Sequence, residues 1–352
     1  MNPFPQPRSA VLAMAPYHPP TAGRGGKLRL DFNENTQGCS PRVLRALKLR
    51  ASREGLAVYP EYGEALEKLD AFFQRRPGEL LLTNGTDEAI HLVLSAYLDA
   101  GQTVLLLSPS YAMYRFYSEL AGAAVEQAAY RPADLSFPVE ELLEKITPRT
   151  RVVLIANPNN PTGTAAPPGA IARILEKAAH SAVLIDEAYF EFHGATALGL
   201  IDDHPNLFVS RTFSKVYGMA GLRLGCLFSR AENIAVMRKA QSPYSVSWPA
   251  VWCALEAIED RDYVDRYVRE ALESRRMLCR GLDRMGIGYY PSEASFVLVQ
   301  AGPRAGEISA RLREHGVLVR DRSYELPGCI RVTVGRKAHA RRFLAAFREA
   351  LR

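Results

Sequence analysis

Short, continuous apolar runs alternate with segments of helical periodicity between about residues 79 and 228, and this alternation restricts the fold more than any other feature. Apolar runs of this length are typical of strands that are buried on both faces of a sheet. After the first run, Ile90, Leu94 and Leu98 recur at helical spacing. Strands that alternate with helices indicate an α/β domain with a largely parallel sheet. The predicted strands cover residues 79–83, 104–108, 152–156, 182–185, 207–210 and 224–228, and the helix covers 86–98.

The pattern changes after about residue 231 and predicts a smaller α+β domain. Its elements are a helix over 262–284, strands at 296–299, 317–319 and 330–334, and a helix over 338–351. The first 45 residues or so are irregular and rich in proline, which predicts an arm that packs on another domain or subunit. We therefore expect an arm with a contribution to the small domain (1–45), a large domain (46–235) and a small C-terminal domain (236–352).

The charge pattern and the apolar pattern exclude several classes of function. The net charge of +6 comes from scattered side chains without a long basic run, so we expect a solvated surface and no nucleic-acid partner. No apolar run approaches the ~20 residues of a membrane span, so we expect no membrane association. The proline-rich N-terminus has too short an apolar stretch for a signal peptide.

The cysteines are odd in number and widely spaced, and no two of them form a Cys-x-x-Cys pair. This spacing argues against a structural zinc site, and we expect no bound metal. Free thiols suit a reduced cytosol, so we expect a cytoplasmic protein. The five cysteines are Cys39, Cys226, Cys253, Cys279 and Cys329.

Polar side chains follow five of the predicted strands at the point where each strand ends. The carboxyl ends of parallel strands share one edge of the sheet, and ligands bind in the crevice there. The joint arrangement therefore predicts one binding site at this edge. The segments that follow the strands are 84–87, 109–111, 157–163, 186–189 and 211–215.

The first of these segments opens a helix with Gly85, Thr86 and Asp87. The free amide groups and the positive dipole end of a helix start bind phosphate, although Thr86 or Asp87 could instead act as a plain N-cap. Thr212, Ser214 and Arg223 follow a later strand, and together with the helix start they could hold one phosphate group. Asn160 stands in the turn sequence Asn-Pro-Thr-Gly and either serves the turn alone or offers an amide donor at a strand end.

Asp186 and Lys215 each follow a buried apolar run. A buried carboxylate needs a cationic partner, which for Asp186 is either an arginine or a cationic ligand atom. Lys215 is one of only eight lysines and follows Thr-Phe-Ser. It is either a solvated loop lysine or a desolvated amine that attacks carbonyl groups. A nucleophilic lysine, a carboxylate, a phosphate site and an aromatic residue are the groups that pyridoxal 5'-phosphate (PLP) requires.

Longer motifs strengthen this interpretation and identify a family. They include Leu-Asp-Phe-Asn-Glu-Asn at 30–35, Asp-Glu-Ala-Tyr at 186–189, Arg-Thr-Phe-Ser-Lys at 211–215 and Arg-Val-Thr-Val-Gly at 331–335. Further matching segments are 15–17, 58–60, 84–88, 109–114, 157–163, 220–225, 243–244 and 317–320. On these residues the chain resembles the fold-type-I PLP-dependent aminotransferases, and within them most closely the histidinol-phosphate aminotransferases. The resemblance implies the PLP-dependent transferase fold type I, with a large domain on a mainly parallel central sheet and a smaller α+β domain.

The resemblance also implies roles for individual residues. Lys215, Asp186 and Tyr189 would be catalytic: Lys215 would bind PLP as a Schiff base, and Asp186 would pair with the pyridine nitrogen. Tyr59 would reach the cofactor phosphate of the neighbouring subunit, which implies a homodimer with composite active sites. The full set of expected cofactor-binding residues is Tyr59, Gly85, Thr86, Asp87, Tyr111, Asn160, Asp186, Tyr189, Thr212, Ser214, Lys215 and Arg223.

For the substrate, the resemblance implies Tyr17, Asn35, Arg320 and Arg331. Arg331 would bind a carboxylate, since a guanidinium group matches a carboxylate with two parallel hydrogen bonds. Arg320 and the Tyr17 hydroxyl would help to hold a substrate phosphate in much the same place. Arg320 could instead pair with Asp321 or another acid.

The activity implied is transamination of L-histidinol phosphate with 2-oxoglutarate or glutamate as the partner. An aminotransferase for aromatic amino acids and a decarboxylase for threonine phosphate are the alternatives, because these families share many of the motifs. A regulator that uses such a domain as a ligand sensor would need a DNA-binding module, for which we expect no room. The sequence departs from the family at Ser295, Ser245 and Arg336-Lys337, near the expected substrate pocket.

Overall fold

Strands and helices alternate along the chain, and the computed structural model describes them for residues 5–16 and 19–352. The strands are β1 (Leu28–Arg29), β2 (Leu80–Thr83), β3 (Thr103–Ser108), β4 (Ala124–Ala129), β5 (Thr150–Ala156), β6 (Ala182–Asp186), β7 (Leu207–Thr212), β8 (Gly225–Phe228), β9 (Tyr289–Tyr290), β10 (Phe296–Gln300), β11 (Val317–Leu318), β12 (Arg320–Asp321) and β13 (Cys329–Thr333). The helices are α1 (Ser9–Ala13), α2 (Pro41–Arg50), α3 (Gly63–Phe73), α4 (Gly85–Tyr97), α5 (Ala112–Ala121), α6 (Val139–Lys145), α7 (Ala170–Lys177), α8 (Phe190–His193), α9 (Ala231–Ala240), α10 (Trp248–Glu259), α11 (Arg261–Asp283), α12 (Ala305–Glu314) and α13 (Lys337–Leu351). Single 3₁₀ turns lie at Leu198–Leu200 and Ala220–Leu222.

All six strands predicted from the apolar runs lie in one seven-stranded sheet, in the order β2-β8-β7-β6-β5-β3-β4. Their ends differ from the predicted bounds by at most two residues. β8 is antiparallel to both of its neighbours, and the other strands run parallel to one another. The predicted α/β class with a mainly parallel sheet is confirmed. As a result, β2, β3, β5, β6 and β7 deliver the residues that follow them to the same edge.

The seventh strand, β4, was missed because it lacks a continuous apolar run. It forms one edge of the sheet and pairs only with β3. Glu126 and Gln127 interrupt its apolar residues, and only Ala128 is buried. An edge strand with one covered face needs no apolar run, so periodicity alone could not distinguish it from a loop.

Two apolar layers cover the sheet on opposite faces. Successive residues of one strand point to different layers, as Leu105 and Leu106 do on β3. One layer contains Ile90 and Leu94 of α4, which confirms the predicted helix. The other contains Ile174 of α7 and, further out, Val251 of α10, which packs against α2. The central strands are therefore covered by helices on both faces, which explains their continuous apolar sequences.

The C-terminal part forms a four-stranded antiparallel sheet in the order β12-β13-β10-β9, with its own apolar core. Phe343 and Phe347 of α13 and Leu278 of α11 fill this core. Leu28 and Leu30 enter the same core, because β1 pairs in parallel with β11. The segment before residue 45 thus contributes to the smaller core. The domain boundaries at 45 and 235 stay a prediction. Among the described residues, we find no helix with the length and apolar character needed to span a membrane.

Candidate active site

A cavity of about 270 Å³ opens at the edge of the sheet where the five parallel strands end. It also receives residues from the segment 32–34 and from the ribbon formed by β12 and β13. Most of the residues predicted to form a site therefore lie around one space. Those that line it are Thr86, Asp87, Tyr111, Asn160, Asp186, Tyr189, Thr212, Ser214, Lys215, Arg223, Arg320 and Arg331.

Lys215 lies in the irregular segment after β7, and its Nζ donates a hydrogen bond to the carbonyl oxygen of Phe32 at 3.0 Å. Nζ also lies 5.9 Å from the centre of the Tyr189 ring. Desolvation, reinforced by the positive charge of Arg331, lowers the pKa of Lys215 to about 8. At pH 7 about a tenth of this amine is therefore unprotonated and able to attack a carbonyl group.

Asp186 ends β6 and is 4% exposed. Its two carboxylate oxygens accept hydrogen bonds from the hydroxyl groups of Tyr114, at 2.8 Å, and Ser210, at 2.9 Å. Burial raises the pKa of Asp186 to about 6. Within the described part of the chain, no lysine, arginine or histidine forms an ion pair with it. Of the two partners considered from the sequence, the geometry thus leaves the carboxylate available to a cationic ligand atom.

Tyr189 is held by residues far away in the sequence. Its hydroxyl accepts a hydrogen bond from the side-chain amide of Asn33 at 2.8 Å, and Thr333 donates to the Asn33 amide oxygen at 3.0 Å. Asn33 has a positive φ of 56°. Asn160 lies nearby and accepts a hydrogen bond from Arg331. These contacts tie the two sheets together across the cavity.

The start of α4 faces the same cavity and offers amide groups to an anion. In the described part of the chain no side chain caps this helix, so neither Thr86 nor Asp87 acts as an N-cap. Asp87 instead accepts a hydrogen bond from the Tyr111 hydroxyl at 2.8 Å and pairs with Arg223 at 3.1 Å. Thr212 and Ser214 line the cavity together with these residues. The combination of free helix amides, two hydroxyl groups and a guanidinium group is suited to a phosphate.

Gly85 allows the close approach of Arg223 to the helix start. It has a positive φ of 69°, and a Cβ at this position would lie 2.6 Å from Arg223 Nη2. Gly85 itself is buried directly beside the cavity and does not line it. Its predicted contact with the cofactor, through its backbone amide, stays a prediction.

Three arginines, Arg320, Arg322 and Arg331, line the wall opposite the helix start. Arg320 and Arg331 stand opposite each other on β12 and β13. Desolvation lowers the pKa of Arg331 to about 10, and the two neighbouring arginines contribute to this shift. Altogether five cationic side chains and three acidic side chains line the cavity. Such an excess of positive charge around a cavity is stabilised when anions bind.

Two of the predicted residues that the structure describes, Tyr59 and Asn35, are not among those that line the cavity. Tyr59 is 73% exposed and stacks near Tyr244, with 4.3 Å between ring centres. Asn35 is buried away from the cavity, and its amide donates to the carbonyl oxygen of Val216 at 2.7 Å. Asn35 therefore positions the segment next to Lys215, and its predicted contact with the substrate stays a prediction. Tyr17 lies outside the described residues.

Several lining residues were missed from the sequence: Phe32, Asn33, Glu34, Tyr114 and Arg322. Two of them carried a signal that could have been used. Tyr114 follows Tyr111 by three residues at a helix start, a spacing that places both on one side. Arg322 follows Arg320 by two residues, which is the spacing for one face of a strand.

Comparison with known proteins agrees with this arrangement. Residues 26–347 match the family described as aminotransferase class I and II. The histidinol-phosphate aminotransferase of Symbiobacterium thermophilum is 38% identical over 98% of both chains, and that of Caldanaerobacter subterraneus is 36% identical over 92% of this chain and 93% of its own. The crystal structure of histidinol-phosphate aminotransferase from Sinorhizobium meliloti, in complex with pyridoxal 5'-phosphate, superposes with a TM-score of 0.91 at 25% identity and covers 99% of this chain and 98% of its own.

Proposed function

The chain belongs to the class I and II aminotransferase family, and we propose that it transfers the amino group of L-histidinol phosphate to 2-oxoglutarate, which yields glutamate. One observation carries the proposal: the three arginines lie on one wall of the cavity that also contains Lys215 and Asp186. A phosphate dianion requires more positive charge than a carboxylate does. The relatives named histidinol-phosphate aminotransferase, 36% and 38% identical, support the same substrate.

The cofactor of this enzyme family is PLP, and the side chains around the cavity fit it. Lys215 offers an amine whose pKa is lowered to about 8, and Asp186 offers a carboxylate that accepts hydrogen bonds from the hydroxyl groups of Tyr114 and Ser210. The cofactor phosphate would be held at the start of α4. Its ligands there would be the backbone amides of residues 85–87, the hydroxyl groups of Thr212 and Ser214, and the side chain of Arg223. Tyr111 would cover the ring, and Asn160 and Tyr189 would bind its phenolic oxygen.

When bound, PLP supplies an aldehyde that combines with amines and a ring that accepts electrons from the substrate carbon. Lys215 is the general base: its neutral Nζ removes the proton from the carbon that carries the amino group. Asp186 is ionised above its pKa of about 6 and would pair with the pyridine nitrogen of the cofactor. Tyr189 and Lys215 lie close enough for the ring of Tyr189 to limit the positions of Nζ.

Arg331 serves both halves of the proposed reaction. Its Nη2 donates to the carbonyl oxygen of Asp31 at 2.6 Å, and its Nη1 donates to Asn160. These bonds fix the plane of the guanidinium group, so that one site can bind a phosphate in the first half-reaction and a carboxylate of 2-oxoglutarate in the second. Fixed donors of this kind stabilise charge without reorganisation during the reaction.

We further propose that the enzyme is a homodimer with composite active sites. The exposed side of α2 and the segment that follows it are unusually apolar, and they include Tyr59. A second copy of the chain would cover this surface, and Tyr59 would reach the cofactor phosphate of the partner subunit. The exposed apolar residues are Leu44, Leu49, Leu56, Val58, Tyr59 and Tyr244.

A cytoplasmic location is proposed on the state of the cysteines. All five are free, and three of them are buried. Burial raises the pKa of the Cys226 and Cys253 thiols, so that they stay protonated and unreactive. Free thiols of this kind suit a reducing compartment.

Single-turnover spectroscopy of the PLP-loaded enzyme tests the proposed substrate. L-Histidinol phosphate, L-phenylalanine and L-threonine phosphate are added separately, without an oxo acid, and conversion of the cofactor to its amino form is followed by absorbance. We expect fast conversion with histidinol phosphate. Equal or faster conversion with phenylalanine would make the protein an aromatic aminotransferase, and release of carbon dioxide from threonine phosphate would make it a decarboxylase.

A further inference from the structure

Arg322 directly follows β12, and its backbone continues the pairing with β13. Its amide donates to the carbonyl oxygen of Cys329 at 3.0 Å, next to the pair formed by Arg320 and Arg331. Residues two positions apart in an extended strand lie on the same face. The ribbon therefore brings three guanidinium groups to one wall of the cavity, where like charges repel one another unless an anion lies between them.

The side chain of Arg322 is held by residues of its own turn, since its guanidinium group lies over the ring of Tyr324, with its Cζ 5.2 Å from the ring centre. It is 5% exposed, lines the cavity, and its Nη2 pairs with Glu325. Among the residues that the structure describes, its buried Nε has no hydrogen-bond partner, and neither does the buried Nε of Arg331. A buried donor without an acceptor is destabilising. Two such donors on one cavity wall indicate that an acceptor arrives with the ligand.

We propose that Arg322 is a third arginine ligand of the phosphate of the amino donor, and that Glu325 is its counterion when the pocket holds only a carboxylate. This inference rests on the proposed function and deepens it. One pocket must hold a dianionic phosphate in the first half-reaction and a carboxylate in the second. An arginine that exchanges between the ligand and an internal acid adjusts the positive charge of the pocket to each of them.

Glu325 is suited to such an exchange because it lies at the border of the pocket. Its side chain is 24% exposed, and it does not line the cavity itself. Burial raises its pKa, although Arg322, Arg331 and Arg320 act in the opposite direction.

The pair has a simpler interpretation, in which it only stabilises the turn at residues 322–326. That turn already has its own backbone hydrogen bonds: the amides of Glu325 and Leu326 donate to the carbonyl oxygen of Arg322 at 3.0 Å and 2.8 Å. The Ser323 amide also donates to the Asp321 carboxylate at 2.8 Å. Since these bonds define the turn, the side-chain pair is not required to form it.

The test compares three amino donors in the single-turnover assay of the PLP-loaded enzyme: L-histidinol phosphate, L-histidinol, which lacks the phosphate, and L-glutamate. The variants are Arg322→Gln and Arg322→Lys, with Arg348→Gln, an exposed position on α13, as the matched control. For Arg322→Gln we expect kcat/KM for histidinol phosphate to fall by about 10- to 100-fold, because a charge-assisted hydrogen bond is lost. For histidinol and glutamate we expect changes below about 3-fold, and Arg322→Lys should recover part of the loss. The control should match the wild type.

Glu325→Gln separates a counterion from a purely structural partner. If Glu325 is a counterion, this variant keeps or increases its activity with histidinol phosphate, since Arg322 is released toward the ligand. A structural pair predicts instead that Glu325→Gln and Arg322→Gln impair all three donors equally, and that result would overturn the inference. So would an Arg322→Gln enzyme that still distinguishes histidinol phosphate from histidinol as the wild type does.

Inorganic phosphate distinguishes failure of this inference from failure of the proposed function. It is added as a competitor of the glutamate half-reaction in the wild type and in Arg322→Gln. If the wild type does not react with histidinol phosphate, the proposed donor is wrong. Weaker inhibition by phosphate in Arg322→Gln would then still support an anion site that includes Arg322, whereas equal inhibition in both enzymes would exclude it.

Discussion

Lys215 combines a nucleophilic role with an environment that keeps its amine partly neutral. Burial is the largest cause of its lowered pKa of about 8, and the positive charge of Arg331 is the next. An ordinary lysine, with a pKa near 10.5, would have about 300-fold less neutral amine at pH 7. The fold thus activates this residue before any ligand binds.

This environment predicts how the apoenzyme captures PLP as the pH changes. The neutral amine is the reactive form, so the capture rate should rise about tenfold per pH unit below 8 and level off above it. The Schiff-base absorbance after stopped-flow mixing gives the rate. Arg331→Met removes a positive charge near Lys215 and should move the midpoint of the pH–rate profile to higher pH. Lys215→Ala should give no Schiff base. A midpoint near 10.5 in the wild type would contradict the assigned pKa.

Single residues were predicted well where they follow a strand, and poorly where a distant segment places them. Asp186 and Lys215 were identified because a buried strand precedes each of them. Asn33 was not, since its contact with Tyr189 depends on pairing between residues 300 positions apart, as between Asn33 and Thr333. A local pattern holds no information on such a contact.

At the scale of secondary-structure elements, the start of α4 depends on a glycine. The positive φ of Gly85 is strained for other residues, and its missing Cβ leaves the space that Arg223 occupies. Gly101 also has a positive φ, of 83°, but has no atom within 4 Å of a Cβ at that position. Comparing a substitution at Gly85 with the same substitution at Gly101 therefore separates the effect of backbone strain from the effect of crowding Arg223.

We expect Gly85→Ala to lower the affinity for PLP by about 10-fold or more, because Arg223 would be pushed away from the phosphate. Both Gly85→Ala and Gly101→Ala should lose about 1 kcal/mol of unfolding free energy through backbone strain. Fluorescence titration gives the affinity, and urea unfolding of the apoenzyme gives the stability. Equal PLP affinities for the two variants would show that the approach of Arg223 to the helix start does not matter for binding.

Elements were predictable in proportion to how fully they are buried. The central strands are covered on both faces, so their sequences are apolar throughout, and each was found. β4 at the sheet edge and β12, with only two residues, have no such signature. For this reason the cavity wall that carries Arg320, Arg322 and Arg331 was only partly predicted. Arg320 lies on β12, and the pairing of β12 with β13 could not be inferred from a strand of two residues.

At the scale of the whole molecule, the two cores meet at the cavity. Arg331 on the small sheet donates a hydrogen bond to Asn160, which follows β5 of the large sheet. The amide of Glu293 donates to the carbonyl oxygen of Gly163 at 2.8 Å. Gly163 also has no room for a Cβ, which would lie 2.3 Å from the Ser292 hydroxyl. The cavity therefore has one wall from each core, and its shape follows from how these cores are joined.

The proposed dimer makes a prediction that involves two copies of this cavity. In a composite site, Lys215 comes from one subunit and Tyr59 from its partner. Lys215→Ala removes the catalytic amine from one subunit's share of the site, and Tyr59→Ala weakens cofactor binding by the partner's share. Each variant alone should therefore show little activity at limiting PLP. The variants are mixed in equal amounts, unfolded in mild denaturant and refolded together. Size-exclusion chromatography with light scattering should report a mass of twice that of the 352-residue chain in every sample.

Random pairing in this mixture makes half of the dimers mixed, and each mixed dimer has one site with both Lys215 and Tyr59 intact. Activity should therefore recover to about a quarter of the wild-type value, because one in four of all sites is complete. Each variant refolded alone is the control and should stay inactive. If Tyr59 served the site of its own subunit, every site in a mixed dimer would lack either Lys215 or Tyr59. No activity would then return. A monomeric mass would contradict the dimer itself, since the exposed apolar surface around Tyr59 would then have no second copy to cover it.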